Sequence, residues 1–183
     1  MPDCEVPRLS LAEWLVLCLI CEKPAHGLAI AAQLGPEGSL GRVWRVPKQV
    51  IYRAMQRLEW LGLVRAAGEQ YSSKEPVRSL SRATPAGRRA AAAWLSRPVV
   101  HARDVRSEFL VKLALLDRAG ADPRELLRAQ QAELAPIAAA LEDRLNSARG
   151  FEHPGLVAAR GDDGDHPVPG HHGAAGLAAR PGA

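Results

Sequence analysis

From Leu11 onward, apolar residues recur at helical spacing. Leu11, Trp14, Leu15, Cys18 and Leu19 form one stripe, and Leu17 and Ile20 widen it until little polar surface is left. This predicts a largely buried helix. Its start is marked by Ser10-Leu11-Ala12-Glu13, a capping box in which the hydroxyl accepts from the third amide and the carboxylate reaches back to the first. Pro24 lies just past its end. His26-Gly27 leads into a short helix over Leu28–Leu34, broken by Gly35-Pro36-Glu37-Gly38. Val46-Pro47 opens a third helix, with proline in the first helical position, where its missing N–H costs nothing. Ile51, Ala54, Met55 and Leu58 form its buried stripe. Lys48, Gln49, Tyr52, Arg53 and Gln56 fall on the other side, and Gly62 ends it.

Beyond Gly62 the period changes. Leu63–Ala66 reads as a short strand, residues 68–76 as a polar loop, and Val77–Ala83 as a returning strand. Thr84-Pro85 is a cap followed by proline, so a helix begins there and runs to about Leu95, closed by Pro98. Asp104–Arg118 is amphipathic through Val105, Phe109, Leu110, Leu113 and Leu116. Asp122-Pro123 then opens a long helix reaching about Arg149. Along it lie Leu126, Leu127, Gln130, Leu134, Ile137, Leu141 and Leu145, whose spacings from Leu127 onward resemble the seam of a coiled coil, with Leu127, Leu134, Ile137, Leu141 and Leu145 as its dimerisation residues, and Pro136 predicts a kink within it. After Gly150 the periodicity collapses into Gly, Pro, Ala and His.

The order is three helices, two strands around a polar loop, then more helix. It defines a mainly α fold with a small β-wing: a winged helix-turn-helix domain over residues 9–97, a C-terminal helical dimerisation region over 98–149, and a disordered tail over 150–183. In that geometry the third helix enters the major groove of DNA, and the donors on its exposed face reach base edges. Lys48 and Gln49 occupy its first turn, and Tyr52, Arg53 and Gln56 extend the face. Arg45 lies just before the helix, near a passing phosphate strand. Lys74 and Arg78 stand at the tip and return of the wing, where phosphate or minor-groove contact is expected. Charge strengthens the picture. Between Arg42 and Arg106 fourteen lysines and arginines face four acids, a local surplus of +10 in a chain whose formal charge is +4. A basic segment inside a near-neutral chain suits a polyanion.

These segments resemble a known family. Val50-Ile51-Tyr52-Arg53-Ala54-Met55-Gln56-Arg57-Leu58-Glu59, followed by Gly62-Leu63-Val64, is similar to the recognition helix and turn of PadR-family transcriptional regulators. Leu15-Val16-Leu17 through Pro24-Ala25-His26-Gly27 resembles that family's first helix and turn. Arg82-Ala83-Thr84-Pro85-Ala86-Gly87, with Trp94-Leu95 later, resembles its wing-to-helix junction. The likeness extends from about Leu9 to Leu145. It implies a homodimeric repressor whose C-terminal helices form the dimer contact and which answers to small aromatic or lipophilic molecules. Two departures stand out. The family places an aromatic near Ser81, which predicts a weaker returning strand here. It also ends in a further apolar helix, where this chain has its Gly/Pro/His tail.

That break in composition admits two readings, a natural disordered tail or a shifted reading frame. Written in GC-rich codons and read one base later, Arg160–His172 yields an amphipathic segment like the missing helix.

Other chemistry is thinly represented. Cys18 and Cys21 form C-x-x-C, but late in an apolar helix, where a buried-thiol role outweighs redox or metal function. His26 would be a third zinc donor, with no fourth in sight. His166, His171 and His172 in the tail offer loose metal binding at most. Trp14 and Trp94 suit core packing better than a ligand pocket. No Ser-His-Asp order, phosphate loop or paired carboxylates point to an enzyme, and no cofactor is expected. No apolar run reaches the roughly 18 residues of a membrane span, and Met1–Arg8 lacks a signal-peptide pattern, which predicts a cytoplasmic protein without membrane partners. The rival readings are a winged-helix protein-interaction module and a thiol-responsive DNA-binding sensor.

Overall fold

The computed structural model of the protein describes residues 8–72 and 75–149. Lys74 and the tail, with His166, His171 and His172 and its proposed frame change, lie outside them. The elements are α1 (Leu11–Glu22), α2 (Gly27–Leu34), α3 (Lys48–Trp60), β1 (Val64–Ser72), β2 (Glu75–Ala83), α4 (Pro85–Ser96), a 3-10 turn (Ala102–Arg106), α5 (Glu108–Arg118) and α6 (Arg124–Arg149). By compactness the chain divides after Leu141. This is a mostly helical winged helix with a two-stranded antiparallel sheet.

α1 is the centre of the first unit. The capping box forms as expected: the Ser10 amide donates to Glu13 Oε2 at 2.6 Å, and the Glu13 amide to Ser10 Oγ at 3.4 Å. Every residue from Trp14 to Ile20 is buried, because α3, α4, α5 and β2 all pack around this helix. Helix α2 begins at Gly27, one residue earlier than its apolar stripe suggests, because the His26 side chain supplies the cap. Its Nδ1 accepts from the Ala29 amide at 3.1 Å.

α3 starts at Lys48, with Pro47 as an extended N-cap residue rather than the first helical one. Both placements tolerate the missing N–H, so the sequence does not separate them. Past Trp60 the chain turns through Gly62 at φ +68°. The Gly62 amide donates to the Glu59 carbonyl and the Leu63 amide to the Leu58 carbonyl, a Schellman motif that suits a residue without Cβ.

The wing departs from expectation. The ladder does not stop at Ala66 but runs to Ser72 on one strand and begins at Glu75 on the other, with register shifts between Ala66 and Glu69 and between Gln70 and Ser72. A ribbon projecting into solvent needs no apolar alternation, so polar residues that read as loop are held by cross-strand bonds instead. The returning strand is not lost for want of an aromatic at Ser81. That residue pairs with Ala66, and its backbone also exchanges bonds of 3.0 and 2.9 Å with Ala25, tying the α1–α2 turn to the wing. At the wing's root Thr84 caps α4 through the Gly87 amide and donates to the Gly62 carbonyl at 2.8 Å.

The expected helix over Asp104–Arg118 is broken. A 3-10 turn occupies Ala102–Arg106, and Ser107, at φ −124° and ψ −83°, separates it from α5. The Ser107 amide closes back onto the Asp104 carbonyl at 3.2 Å, a local bond that competes with helix continuation. Helix α6 runs through Pro136. Of the residues read along this helix, Leu126 and Gln130 are buried, whereas Leu127, Ile137 and Leu141 are exposed and Leu134 is half-buried. Leu145, beyond the division, is also exposed.

Two polar side chains hold the segment between α4 and α5. The Gln130 amide pairs with both backbone groups of Val99, at 2.8 and 2.9 Å, within a cluster of Val99, Phe109 and Leu126. Lys112, only 1% exposed, donates to the Arg97 carbonyl at 2.8 Å, pairs with Glu108 at 2.7 Å, and sits 4.8 Å from the centre of the Trp94 ring. That ring stacks on Trp14 at 5.1 Å and 7°. The two tryptophans are core, as their spacing suggests. Lys112 was not foreseen, since a lone charge on an amphipathic helix reads as solvated.

Candidate nucleic-acid interface

The face of α3 away from the core is polar and open. Ile51, Ala54 and Leu58 anchor the helix on α1 and α2, while Lys48, Gln49, Tyr52, Arg53 and Gln56 are all exposed. The segregation follows from the sequence, because the two sets sit on opposite sides of a 3.6-residue period. No side chain caps α3, so its first-turn amides point outward next to Lys48, and the helix dipole adds positive potential there. Arg45 is exposed just before the helix. Its neighbour Val46 is buried and donates its amide to the Leu34 carbonyl at 3.2 Å, which fixes where Arg45 emerges. The structure therefore brings Arg45, Lys48, Gln49, Tyr52, Arg53 and Gln56 onto one surface. The Arg78 backbone pairs with Gln70 in the wing.

Tyr52 makes a packing contact that the sequence did not show. It is 43% exposed, yet its ring lies against the start of α2. A Cβ at Gly27 would stand 2.5 Å from Tyr52 Cε1, so glycine is what lets the ring approach. Beside it, a cleft of about 480 Å³ opens between α2, α3 and β2, bordered by His26, Lys48, Met55, Gln56 and Ser81. The small Ser81 side chain borders this space.

Not all of the basic surplus serves this face. Arg57 pairs with Glu13 at 3.0 Å, and Arg88 donates to the Cys21 carbonyl at 2.7 Å. Arg42, Arg65, Arg82 and Arg89 remain exposed.

The surroundings of the cysteine pair disfavour the thiolate. Cys18 is buried, and burial pushes its thiol far above the ordinary range. Cys21, half-buried, is also raised by burial, with the Arg88 charge opposing. Raised values mean less thiolate at neutral pH, the opposite of a poised sensor. In a Cys4→Ser background, native protein should react with iodoacetamide at pH 7.5 more than about tenfold slower than the guanidinium-unfolded chain. Equal rates would restore the thiol-sensor reading. Among the described residues no group of three or more His, Cys, Asp or Glu could hold a metal ion, and His26 spends its Nδ1 on the α2 cap. No helix there is long and apolar enough to cross a membrane.

The sequence model of the "Transcriptional regulator PadR-like family" matches residues 16–93. Among solved structures, Bacillus subtilis PadR in complex with operator DNA is similar at 19% identity and a TM-score of 0.47, over 79% of this chain and 80% of that one. A PadR-like transcription factor from Bacteroides fragilis is similar at 20% identity and a TM-score of 0.37, over 44% of this chain and 73% of that one. No curated protein matches. The stretch that matches this family model runs from Val16 on α1, through the exposed face of α3, to Ala93 on α4.

Proposed function

We propose that the protein is a homodimeric, ligand-responsive repressor that reads double-stranded DNA through α3. The observation that carries this reading is the single exposed face on which Lys48, Gln49, Arg53 and Gln56 gather with Arg45, opposite an apolar anchor. Lys48 and Gln49, in the first turn, contact base edges. Tyr52, Arg53 and Gln56 extend that contact, while Arg45, Lys74 and Arg78 hold phosphates. Residues 98–149 supply the dimer contact through the outward seam of Leu127, Leu134, Ile137, Leu141 and Leu145. A small aromatic or lipophilic effector is accommodated by a recess of about 270 Å³ with apolar walls from Ala92, Leu95, Leu116 and Leu126 and with Asp122 and Glu125 also on its border. Repression follows if the occupied site excludes polymerase, and effector binding relieves it by shifting the two reading heads.

Replacing Gln49 with alanine should weaken binding to a duplex selected from a random library by about 1–3 kcal/mol and relax its sequence preference. Electrophoretic mobility shifts over a salt series measure both this loss and the steep slope that phosphate neutralisation requires. A Gln49→Ala protein that binds the selected duplex as tightly as its parent would show that the reading face is misassigned. A flat salt slope would favour the protein-interaction module.

A further inference from the structure

Trp60 is the last residue of α3 and, at 82% exposed, the most open large apolar side chain among the described residues. At 100° per residue, Gln49, Arg53, Gln56 and Trp60 fall within an arc of about 60°, with Ile51, Ala54 and Leu58 on the far side of the helix. The ring therefore points where the polar reading face points and has no route to the core. The backbone that carries it is fixed. The Schellman turn at Gly62 follows at once, and Leu63 and Val64 beyond it are buried. An indole left in water at the end of this polar stripe is placed to meet whatever meets the stripe.

Dimensions narrow that partner's contact. Gln49 and Trp60 are eleven residues apart, about 16 Å along the helix, whereas the major groove is about 12 Å wide. With the first turn seated on base edges, the fourth turn has climbed to the groove's wall. An indole offers two things there: an N–H that donates to a phosphate oxygen, and an apolar face that covers a deoxyribose. Nearby charge permits the approach. Arg53 lies on the same stripe, and Glu59 is turned about 100° away from Trp60.

We infer that Trp60 is a further DNA contact, packing on the sugar–phosphate wall of the groove that Gln49 reads and so adding affinity without sequence preference. The inference rests on the DNA-reading function proposed above. The protein's four tryptophans make it testable, since Trp14 and Trp94 are buried and stacked and only Trp44 and Trp60 reach solvent. In full-length Trp44→Phe protein, acrylamide quenching is read with and without a duplex selected by the parent. The accessible emission should become protected in the complex, and Trp60→Ala should weaken that duplex and a scrambled one alike, by about five- to tenfold. Trp60→Phe should recover part of the loss. The residue is surface-exposed, so the melting temperature of Trp60→Ala should stay near the parent's. Unchanged affinity in Trp60→Ala, or quenching that duplex leaves unaltered, overturns the inference. So does protection that grows with protein concentration in the absence of DNA, which assigns the ring to a second copy of the chain. A parent that binds neither duplex overturns the proposed function instead, before the Trp60 variant is reached.

Discussion

Replacing Trp94 with alanine will cost about 3–5 kcal/mol of stability, among the largest losses available to a single substitution in this chain. Three effects converge on one ring. Its removal leaves a cavity against Trp14, with which it stacks at 5.1 Å. It removes the aromatic face 4.8 Å from the Lys112 ammonium, so a buried cation loses part of its compensation while keeping its full desolvation penalty. It also loosens the start of the segment held by the Lys112 bond to the Arg97 carbonyl. Guanidinium unfolding should show the loss as a lower midpoint, and the near-ultraviolet signal of the stacked pair should vanish. Trp94→Phe should retain most of the stability. A loss below about 1 kcal/mol in Trp94→Ala would mean that the pair is not the keystone of the junction between α1, α4 and α5.

That junction also marks where the sequence stopped being legible. Features fixed by neighbours three or four residues apart were readable. The Ser10–Glu13 box, the Thr84-Pro85 start and the two-sided α3 all stand where their spacing placed them, because helix formation is local. Features fixed from far along the chain were not. The wing reaches Ser72 because β2 pairs with it, not because Glu69 and Gln70 favour strands. Lys112 is buried because a carbonyl fifteen residues back and a tryptophan on another helix receive it. Gln130 turns inward, in place of Leu127, because Val99 presents an unpaired backbone amide and carbonyl thirty-one residues away. Much the same holds for the candidate interface. The α3 face could be listed from periodicity, but the contact of Tyr52 with Gly27, and the cleft beside Ser81, exist only once α2, α3 and β2 have met.

Charging the seam of α6 should separate dimerisation from folding. Leu127, Ile137 and Leu141 are exposed, whereas Leu126 and Gln130 already fix the helix to the segment before α5. The seam is therefore not needed to hold the chain's own core. Beside it lies a groove of about 310 Å³, bordered by Val105, Phe109, Leu127, Leu134 and Ala138, wide enough to take an aliphatic side chain from a second α6. Burying each leucine or isoleucine in such a contact contributes about 1.5–3 kcal/mol, so a short symmetric seam suffices for a dimer at micromolar concentration. The double substitution Ile137→Glu, Leu141→Glu places like charges across that seam. The variant should keep the parent's helical content and sediment as a monomer. Its affinity for a single half-site should be unchanged, while its affinity for two half-sites one helical turn apart should fall by about a hundredfold or more, since the second contact is no longer intramolecular. A parent that already sediments as a monomer at micromolar concentration would end the dimer reading. A double variant that stays dimeric would move the contact off α6, and the outward leucines would then need another explanation.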